Sequence, residues 1–172
     1  MESTLKRNSG FTLVELVMVI IVISIISAFA ISRNSNSQSY LTNIVRNQLI
    51  ASGRLAQQTS LSRASTAANV SLTIRPTAIG TREIWRFSVA GGGADSINME
   101  VDRGGEQIHF GSNLSATCSS LTAASDGAPL IIQFDGDGNR SPAQNLRICV
   151  NSDVISELCV SPAGYMYTGT CL

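Results

Sequence analysis

The sequence predicts an α+β protein in which a long N-terminal helix packs on a C-terminal head made of an antiparallel β-sandwich or sheet. Three observations support this prediction. Residues 11–31 form an almost unbroken apolar run, residues 41–68 repeat apolar side chains at helical spacing, and after Asn69 the apolar period changes to two. We therefore divide the chain into a leader (1–10), a transmembrane helix (11–31), an amphipathic helix (32–68) and a β-rich globular head (69–172).

The apolar run is long enough to cross a lipid bilayer. Its 21 residues, at about 1.5 Å of rise per residue, match the roughly 30 Å hydrocarbon core. Lys6 and Arg7 precede the run, and the positive-inside rule places such residues in the cytoplasm. The sequence therefore predicts a single inner-membrane span with a periplasmic head.

One carboxylate, that of Glu15, interrupts the apolar run near its start. An ionised acid within a membrane span costs about 2.5–3.5 kcal/mol on insertion scales, so such residues are usually paired and functional. The alternative is an acid at the membrane edge that reaches water, because Glu15 lies only four residues after Phe11. We favour the functional interpretation.

An ordinary signal peptide is the main rival to a membrane anchor. Ala28-Phe29-Ala30 is similar to an A-x-A cleavage site, and cleavage there would release a soluble protein that starts at Ile31. However, the run exceeds the usual 7–15 apolar residues of a signal peptide, and an internal acid is unfavourable there. The anchor therefore remains the preferred interpretation.

The amphipathic helix follows a short polar stretch, Ser32–Ser39, that is poor in helix formers. From Leu41 onward, apolar residues return at a spacing that places them on roughly one face of a helix. This pattern predicts a helix that can lie on a sheet.

The head alternates short apolar segments with glycine-rich breaks, as small antiparallel β-proteins do. The segment Ser112–Ser125 is rich in serine and is predicted to be a loop held at Cys118. The candidate strands are Val70–Ile74, Ile84–Val89, Ile97–Val101, Gln107–Phe110, Leu130–Phe134, Leu146–Val150, Ile155–Val160 and Tyr165–Tyr167.

Four cysteines lie in the predicted periplasmic part. An even number in an oxidising compartment indicates two disulfides, whereas a metal site would need closer spacing and usually histidine. We favour Cys159–Cys171, which ties the C-terminal end to a neighbouring strand, together with Cys118–Cys149. The alternative pairs Cys149 with Cys159 and Cys118 with Cys171.

Charge is distributed unevenly although the net charge is zero. Residues 32–68 carry four arginines and no acid, whereas residues 69–172 carry six arginines and ten acids. A basic stem and an acidic head suit subunits packed side by side, or a stem near anionic lipid. Ordinary solvated charge is the alternative.

Asp135, Asp137 and Asn139 match the first half of a calcium loop, because they offer oxygen ligands at alternate positions. The pattern then fails, since Arg140 and Leu146 occupy the positions of the loop's glycine and glutamate. A tight turn is therefore the preferred interpretation. Calcium is the alternative, and no other cofactor or metal is expected.

No set of residues predicts an enzyme. His109 is the only histidine, and its alternation with Ile108 and Phe110 predicts that it faces solvent. Trp85 and Phe87 are expected to fill the core.

Nucleic acid is also not an expected partner. Arg140 and Arg147 could contact phosphates, but the head is acidic overall.

The stretch Gly10-Phe11-Thr12-Leu13-Val14-Glu15-Leu16 after a basic leader resembles the class III signal of type IV pilins and type II secretion pseudopilins. This resemblance implies that prepilin peptidase cuts after Gly10 and that Phe11 becomes the N-methylated N-terminus. It also implies that Glu15 pairs with the amine of Phe11 on a neighbouring subunit.

Three later segments are similar to minor pilins of the FimT and H-type pseudopilin group. A minor pilin of a mannose-sensitive haemagglutinin-type pilus is one specific case. Most pilins have a proline near Ser32, whereas this chain has none before Pro76, so we expect a more continuous helix. The three segments are Leu49–Gln58 with Val70–Ile74, Ile131–Asn139, and Cys159–Tyr165 closing on Cys171.

The resemblance implies a pilin-like fold and a minor, tip-associated type IV pilin that acts by assembly rather than catalysis. The implied partners are other pilins and minor pilins, prepilin peptidase and inner-membrane lipid. A minor pseudopilin of a type II secretion machine is the first alternative. A pilin for adhesion or DNA uptake is the second.

Overall fold

The computed structural model describes residues 12–34, 37–63, 69–91, 94–151 and 155–172. The chain divides into two compact units, Met1–Ser37 and Gln38–Leu172. The predicted leader and the predicted continuity of the helix through residues 35–36 lie outside the described residues.

The first unit contains one helix, α1, which spans Leu13–Asn34. No helix among the described residues has both the length and the hydropathy needed to cross a membrane, so the predicted span stays a prediction.

Helix α2 spans Ser37–Ser62, and all of it except Ser37 belongs to the second unit. Its buried side chains recur every three or four residues, which places them on one face of the helix. The hydroxyl groups of Ser52 and Ser60 on this face donate to the carbonyl oxygens of Gln48 and Gln57, so they are buried with their hydrogen bonds satisfied. The buried residues of this face are Thr42, Val45, Leu49, Ser52, Ala56 and Ser60.

Ten strands form two five-stranded antiparallel sheets in the described residues. The first sheet has the order β3-β2-β1-β6-β7, and the second has the order β10-β9-β8-β4-β5. The strands are β1 (Val70–Ile79), β2 (Arg82–Gly91), β3 (Ala94–Asp102), β4 (Gln107–Gly111), β5 (Thr122–Ala123), β6 (Leu130–Phe134), β7 (Arg140–Ser141), β8 (Leu146–Asn151), β9 (Ser156–Val160) and β10 (Met166–Thr168).

One apolar core joins α2 to both sheets. It includes Leu49 from the helix, Phe87 from the first sheet and Ile148 from the second, all fully buried. Trp85 is also fully buried, so the prediction that Trp85 and Phe87 fill the core is confirmed. The predicted α+β class, with a helix packed on antiparallel sheets, is confirmed as well.

Two differences from the predicted strands have simple causes. β1 continues past Ile74 to Ile79 because β2 pairs with it along this length. Pro76 is tolerated in this part because β6 pairs only with residues 70–74, so the rest of β1 has a neighbour on one side only. The strands β5 and β7 were not predicted, since two residues are too short to show a period of two.

Helix α2 approaches β10 closely at Gly53. A Cβ atom at this position would lie 2.7 Å from Cε of Met166, so a residue with a side chain here would require the flexible end of Met166 to move.

Candidate assembly site

Glu15 lies in the first turn of α1 and makes a reciprocal cap with Thr12. The Thr12 backbone N–H and its hydroxyl donate to Glu15 Oε2 at 3.1 and 3.0 Å, and the Glu15 N–H donates to Thr12 Oγ1 at 3.3 Å. This is a capping box, which stabilises the start of a helix by satisfying N–H groups that lack partners there. This cap was not predicted from the sequence, although a threonine three residues before a glutamate is its usual signature.

Between Leu13 and Ser27, the exposed surface of α1 is apolar on every side apart from Glu15 and two serines. All large apolar side chains from Leu13 to Ile26 are at least 39% exposed. Apart from Glu15, the polar side chains between Leu13 and Ser27 are Ser24 and Ser27, whose hydroxyls donate to the carbonyl oxygens of Ile20 and Ile23. A helix that is hydrophobic all round requires an apolar environment.

Gly10 and Phe11, the predicted cleavage and methylation positions, lie outside the described residues. The described residues begin at Thr12. Of the three predicted processing and assembly residues, the structure therefore describes only Glu15, and the cleavage site stays a prediction.

Two disulfides fix the head. Cys118 bonds to Cys149, and Cys159 bonds to Cys171. These are the pairs that the sequence analysis favoured. The first disulfide joins the short 3-10 helix Cys118–Ser120 to β8, and with Leu121 it forms a second, smaller apolar cluster. The second attaches the C-terminal end to β9.

His109 is buried, with only 7% of its surface exposed, so the prediction that it faces solvent was wrong. It does lie on the side of β4 opposite to the core residue Ile108. However, it pairs with Cys149 in β8 and with Ala123 in β5. Residues 112–121, here called the covering segment, include the 3-10 helix and pack on that side against Cys149. Its Nδ1 has no hydrogen-bond partner among the described residues.

Asp135, Asp137 and Asn139 form a tight turn. Asp135 Oδ1 accepts from the backbone N–H groups of Asp137 and Asn139 at 3.0 and 2.8 Å. The Asp135 carbonyl oxygen accepts from Gly138, which has a φ of 76°. One oxygen of the carboxylate already serves the backbone, which favours the turn over the calcium loop.

Arg140 is enclosed rather than available to phosphates. It is 7% exposed, and its Nη1 donates to the carbonyl oxygens of Pro142 and Gln144. Burial lowers the pKa of the Arg140 guanidinium from its ordinary value. Arg140 therefore holds the turn that follows β7 through its hydrogen bonds.

Arg147 has a comparable internal role. Its side chain is 11% exposed and lies 2.6 Å from Glu157 Oε1. Its Nη1 donates to the carbonyl oxygens of Leu114 and Ala116. Neither of the two arginines considered for DNA contact presents its guanidinium freely to solvent.

One group of cysteines and acids in the described part of the chain is compact enough to suggest a metal site. The ligand atoms of Cys118, Cys149 and Glu157 lie within 4.8 Å of one another. Both sulfur atoms are in a disulfide, so they are not the thiolates that a metal would need. Glu157 already accepts from Arg147, which accounts for its place in the group.

The N-terminal region has a match among known protein families. Residues 5–31 match the prokaryotic N-terminal methylation motif, and this range includes Gly10, Phe11 and Glu15. Comparison with characterised proteins and with solved structures gives no significant match. The motif supports the pilin and pseudopilin superfamily, whose members are processed by prepilin peptidase and assemble with other pilins as structural subunits.

Proposed function

We propose that this chain is a minor, tip-associated type IV pilin, anchored in the inner membrane before it enters the pilus. The observation that carries the proposal is the methylation motif, because it covers residues 5–31, where a basic leader, the Gly10-Phe11 junction, an apolar run and Glu15 follow one another. Each of these features has a separate physical role in storage, processing or assembly.

Processing would create the charge that Glu15 needs. Cleavage after Gly10 frees the amine of Phe11, and that amine carries a positive charge next to an apolar helix. A carboxylate in an apolar fibre core is tolerated when a cation pairs with it, so the amine of a neighbouring subunit is the natural partner. Both contacts from Thr12 use Oε2 of Glu15, which leaves Oε1 for such a donor.

The apolar surface of α1 suits both environments that the proposal requires. Lipid would surround the helix during storage, and other pilin helices would surround it in the fibre. In the absence of a hydrophobic force between helices within lipid, close packing provides most of the association energy. Ser24 and Ser27 do not oppose this, since their hydroxyls already donate to the helix backbone.

The head would present its loops to other subunits. Residues 32–68 carry a charge of +4 and residues 69–172 a charge of −4, which favours contact between the stem of one subunit and the head of another. Arg54, on α2, is exposed and is a candidate for such contacts. The finer assignment to the FimT and H-type group depends on the resemblances within residues 49–58 and 131–139.

A minor pseudopilin of a type II secretion machine would share the basic leader, the Gly10-Phe11 junction, the apolar run and Glu15, so it is the second candidate. The presence of the chain in filaments sheared from the cell surface would favour the pilus. DNA uptake has less support, because Arg140 and Arg147 are engaged within the head.

The decisive test is the N-terminus of the protein isolated from cells that express a prepilin peptidase. Mass spectrometry should find N-methylated Phe11 as the first residue. The matched variant Gly10→Val should keep its leader and start at Met1, because only the cleavage position is changed. A wild-type protein that starts at Ile31 would show ordinary secretion and contradict the proposal.

A further inference from the structure

Strand β3 is the one long sheet edge among the described strands. It has nine residues, Ala94–Asp102, and it pairs with β2 on one side only. The other edge of the first sheet is β7, which has two residues, and the edges of the second sheet are β5 and β10, with two and three residues. An edge of this length presents a continuous row of backbone groups.

The hydrogen-bond pattern identifies which backbone groups of β3 point outward. The N–H of Arg103 donates to the carbonyl oxygen of Glu83, directly across the strand pair, at 3.0 Å. Because bonded and non-bonded pairs alternate in an antiparallel ladder, Ile97, Met99 and Val101 bond to β2. The outward groups are therefore those of Ser96, Asn98, Glu100 and Asp102.

The apolar side chains that face the core of the head continue across the first sheet as far as β3. Ile97, Met99 and Val101 lie opposite Val89, Phe87 and Trp85, and therefore share their face of the sheet. Ile97 is 47% exposed, although its partner Val89 is buried. The Gln48 side chain of α2 reaches Met99 Sδ at 3.0 Å, so the helix borders the edge on this face. An added strand could bury the exposed part of Ile97.

Several devices that protect natural edges are missing from β3, although its acidic side chains are themselves one such device. The strand contains no proline and no lysine, and its register with β2 is regular from Ile97 to Asp102. The only irregularity in this pairing lies between Val89 and Gly91 of β2, opposite the start of β3. Proline, lysine and bulges are the usual means of preventing strand addition.

The charge of the strand selects the kind of partner. β3 carries Asp95, Glu100 and Asp102 and no basic residue. Arg86 and Arg82 of β2 pair with Glu100 and Asp102, but these two acids remain 43% and 54% exposed. A second copy of β3 would bring further acids to the edge, whereas a basic strand would be attracted to it.

We propose that the edge of β3 binds an extended segment of another protein whose side chains alternate between apolar and basic. The backbone of that segment would pair with the outward groups of β3, its apolar side chains would cover Ile97 beside α2, and its basic side chains would face Glu100 and Asp102. This recognition is strand addition, in which main-chain hydrogen bonds give affinity and side chains give specificity. The proposal does not depend on the pilin role, since it uses only the head.

The test uses the full-length protein in mild detergent and a short peptide that alternates valine with lysine. A peptide that alternates valine with glutamate is the comparator. Hydrogen exchange should show new protection of the amides of Ser96, Asn98 and Glu100 with the lysine peptide only. Absence of this protection, or equal protection by the glutamate peptide, would overturn the proposal.

A proline variant and its control separate backbone pairing from the attraction between opposite charges. Asn98→Pro removes one outward N–H and keeps the ladder to β2, whereas the control Asn98→Thr loses the same side-chain contacts and keeps the N–H. Affinity for the lysine peptide should fall by about tenfold in the first variant and stay nearly unchanged in the second. Glu100→Lys should also weaken binding without altering the backbone.

The remaining outcomes also bear on the proposal. If Asn98→Pro binds the lysine peptide as well as Asn98→Thr does, the backbone is not used and the proposal fails. If the same amides become protected by self-association without peptide, the occupant is a second copy and the basic partner is wrong. If Asn98→Pro does not fold, Glu100→Lys becomes the deciding variant, and unchanged affinity in that variant would overturn the proposal.

Discussion

Arg147 Nη2 lies 2.6 Å from Glu157 Oε1, on the face of the second sheet that points away from the core. The other terminal nitrogen of the guanidinium donates to carbonyl oxygens of Leu114 and Ala116, in the segment that covers this face. A single side chain thus connects β8, β9 and the covering segment. The Cys118–Cys149 disulfide joins the same segment to β8 at a second point.

Replacement of Arg147 should destabilise the head. Arg147→Met would leave the Glu157 carboxylate, 24% exposed, without its cation and would leave two carbonyl groups without a donor. We expect the free energy of unfolding, measured by urea denaturation in mild detergent, to fall by about 3 kcal/mol. The control is Arg82→Met, since Arg82 is 70% exposed in its pair with Asp102 and should cost less than about 1 kcal/mol. Equal losses in the two variants would contradict the structural role of Arg147.

The two disulfides should differ in their contribution to stability. The Cys118–Cys149 bond closes a sequence separation of 31 residues, and the Cys159–Cys171 bond closes one of 12. In the chain-entropy model the longer loop contributes about 4 kcal/mol and the shorter about 3 kcal/mol. Replacing each pair with serines and measuring urea unfolding should give the larger loss for Cys118 and Cys149, because the covering segment is also released. Peptide mapping without reductant checks the pairing, and a Cys149–Cys159 peptide would contradict it.

A larger side chain at Gly53 should separate α2 from β10. In Gly53→Leu, the new side chain would meet Met166, and overpacking of this kind costs about 1–3 kcal/mol. Ala51→Leu, on the exposed side of the same helix, is the control, and the better helix propensity of leucine over glycine, about 0.8 kcal/mol, is subtracted before the comparison. The comparison is again made by urea unfolding. A Gly53→Leu protein as stable as the control would show that Met166 yields without loss.

Substitution of Glu15 can distinguish its two roles. Glu15→Gln keeps a side chain that suits the capping box but removes the charge, whereas Glu15→Ala removes both. Both variants should be cleaved and N-methylated at Phe11, yet both should enter pili more than about tenfold less efficiently, since loss of a buried pair costs about 3 kcal/mol or more. Immunoblots of sheared pili measure this. Normal incorporation of Glu15→Gln would attribute the role of Glu15 to the helix cap.

Local pattern predicted much of the head, and its failures share one cause. The alternation of apolar residues correctly placed Trp85 and Phe87 in the core. The same alternation put His109 on the opposite face and therefore in solvent, because it contains no information about a distant segment that covers this face. Arg140 and Arg147 were considered as surface groups for the same reason, although both donate to backbone carbonyl groups within the head.

The sequence by itself determined the elements whose signals are local. These are the order of basic residues, apolar run and Glu15, the change of period after Asn69, and the tight turn at Asp135, because each depends on residues within a few positions of one another. The tertiary structure alone decided which strands are neighbours, and thereby placed His109 beside Cys149 and left β3 at an edge. Strand order depends on pairings between distant segments, and local periodicity does not encode those pairings.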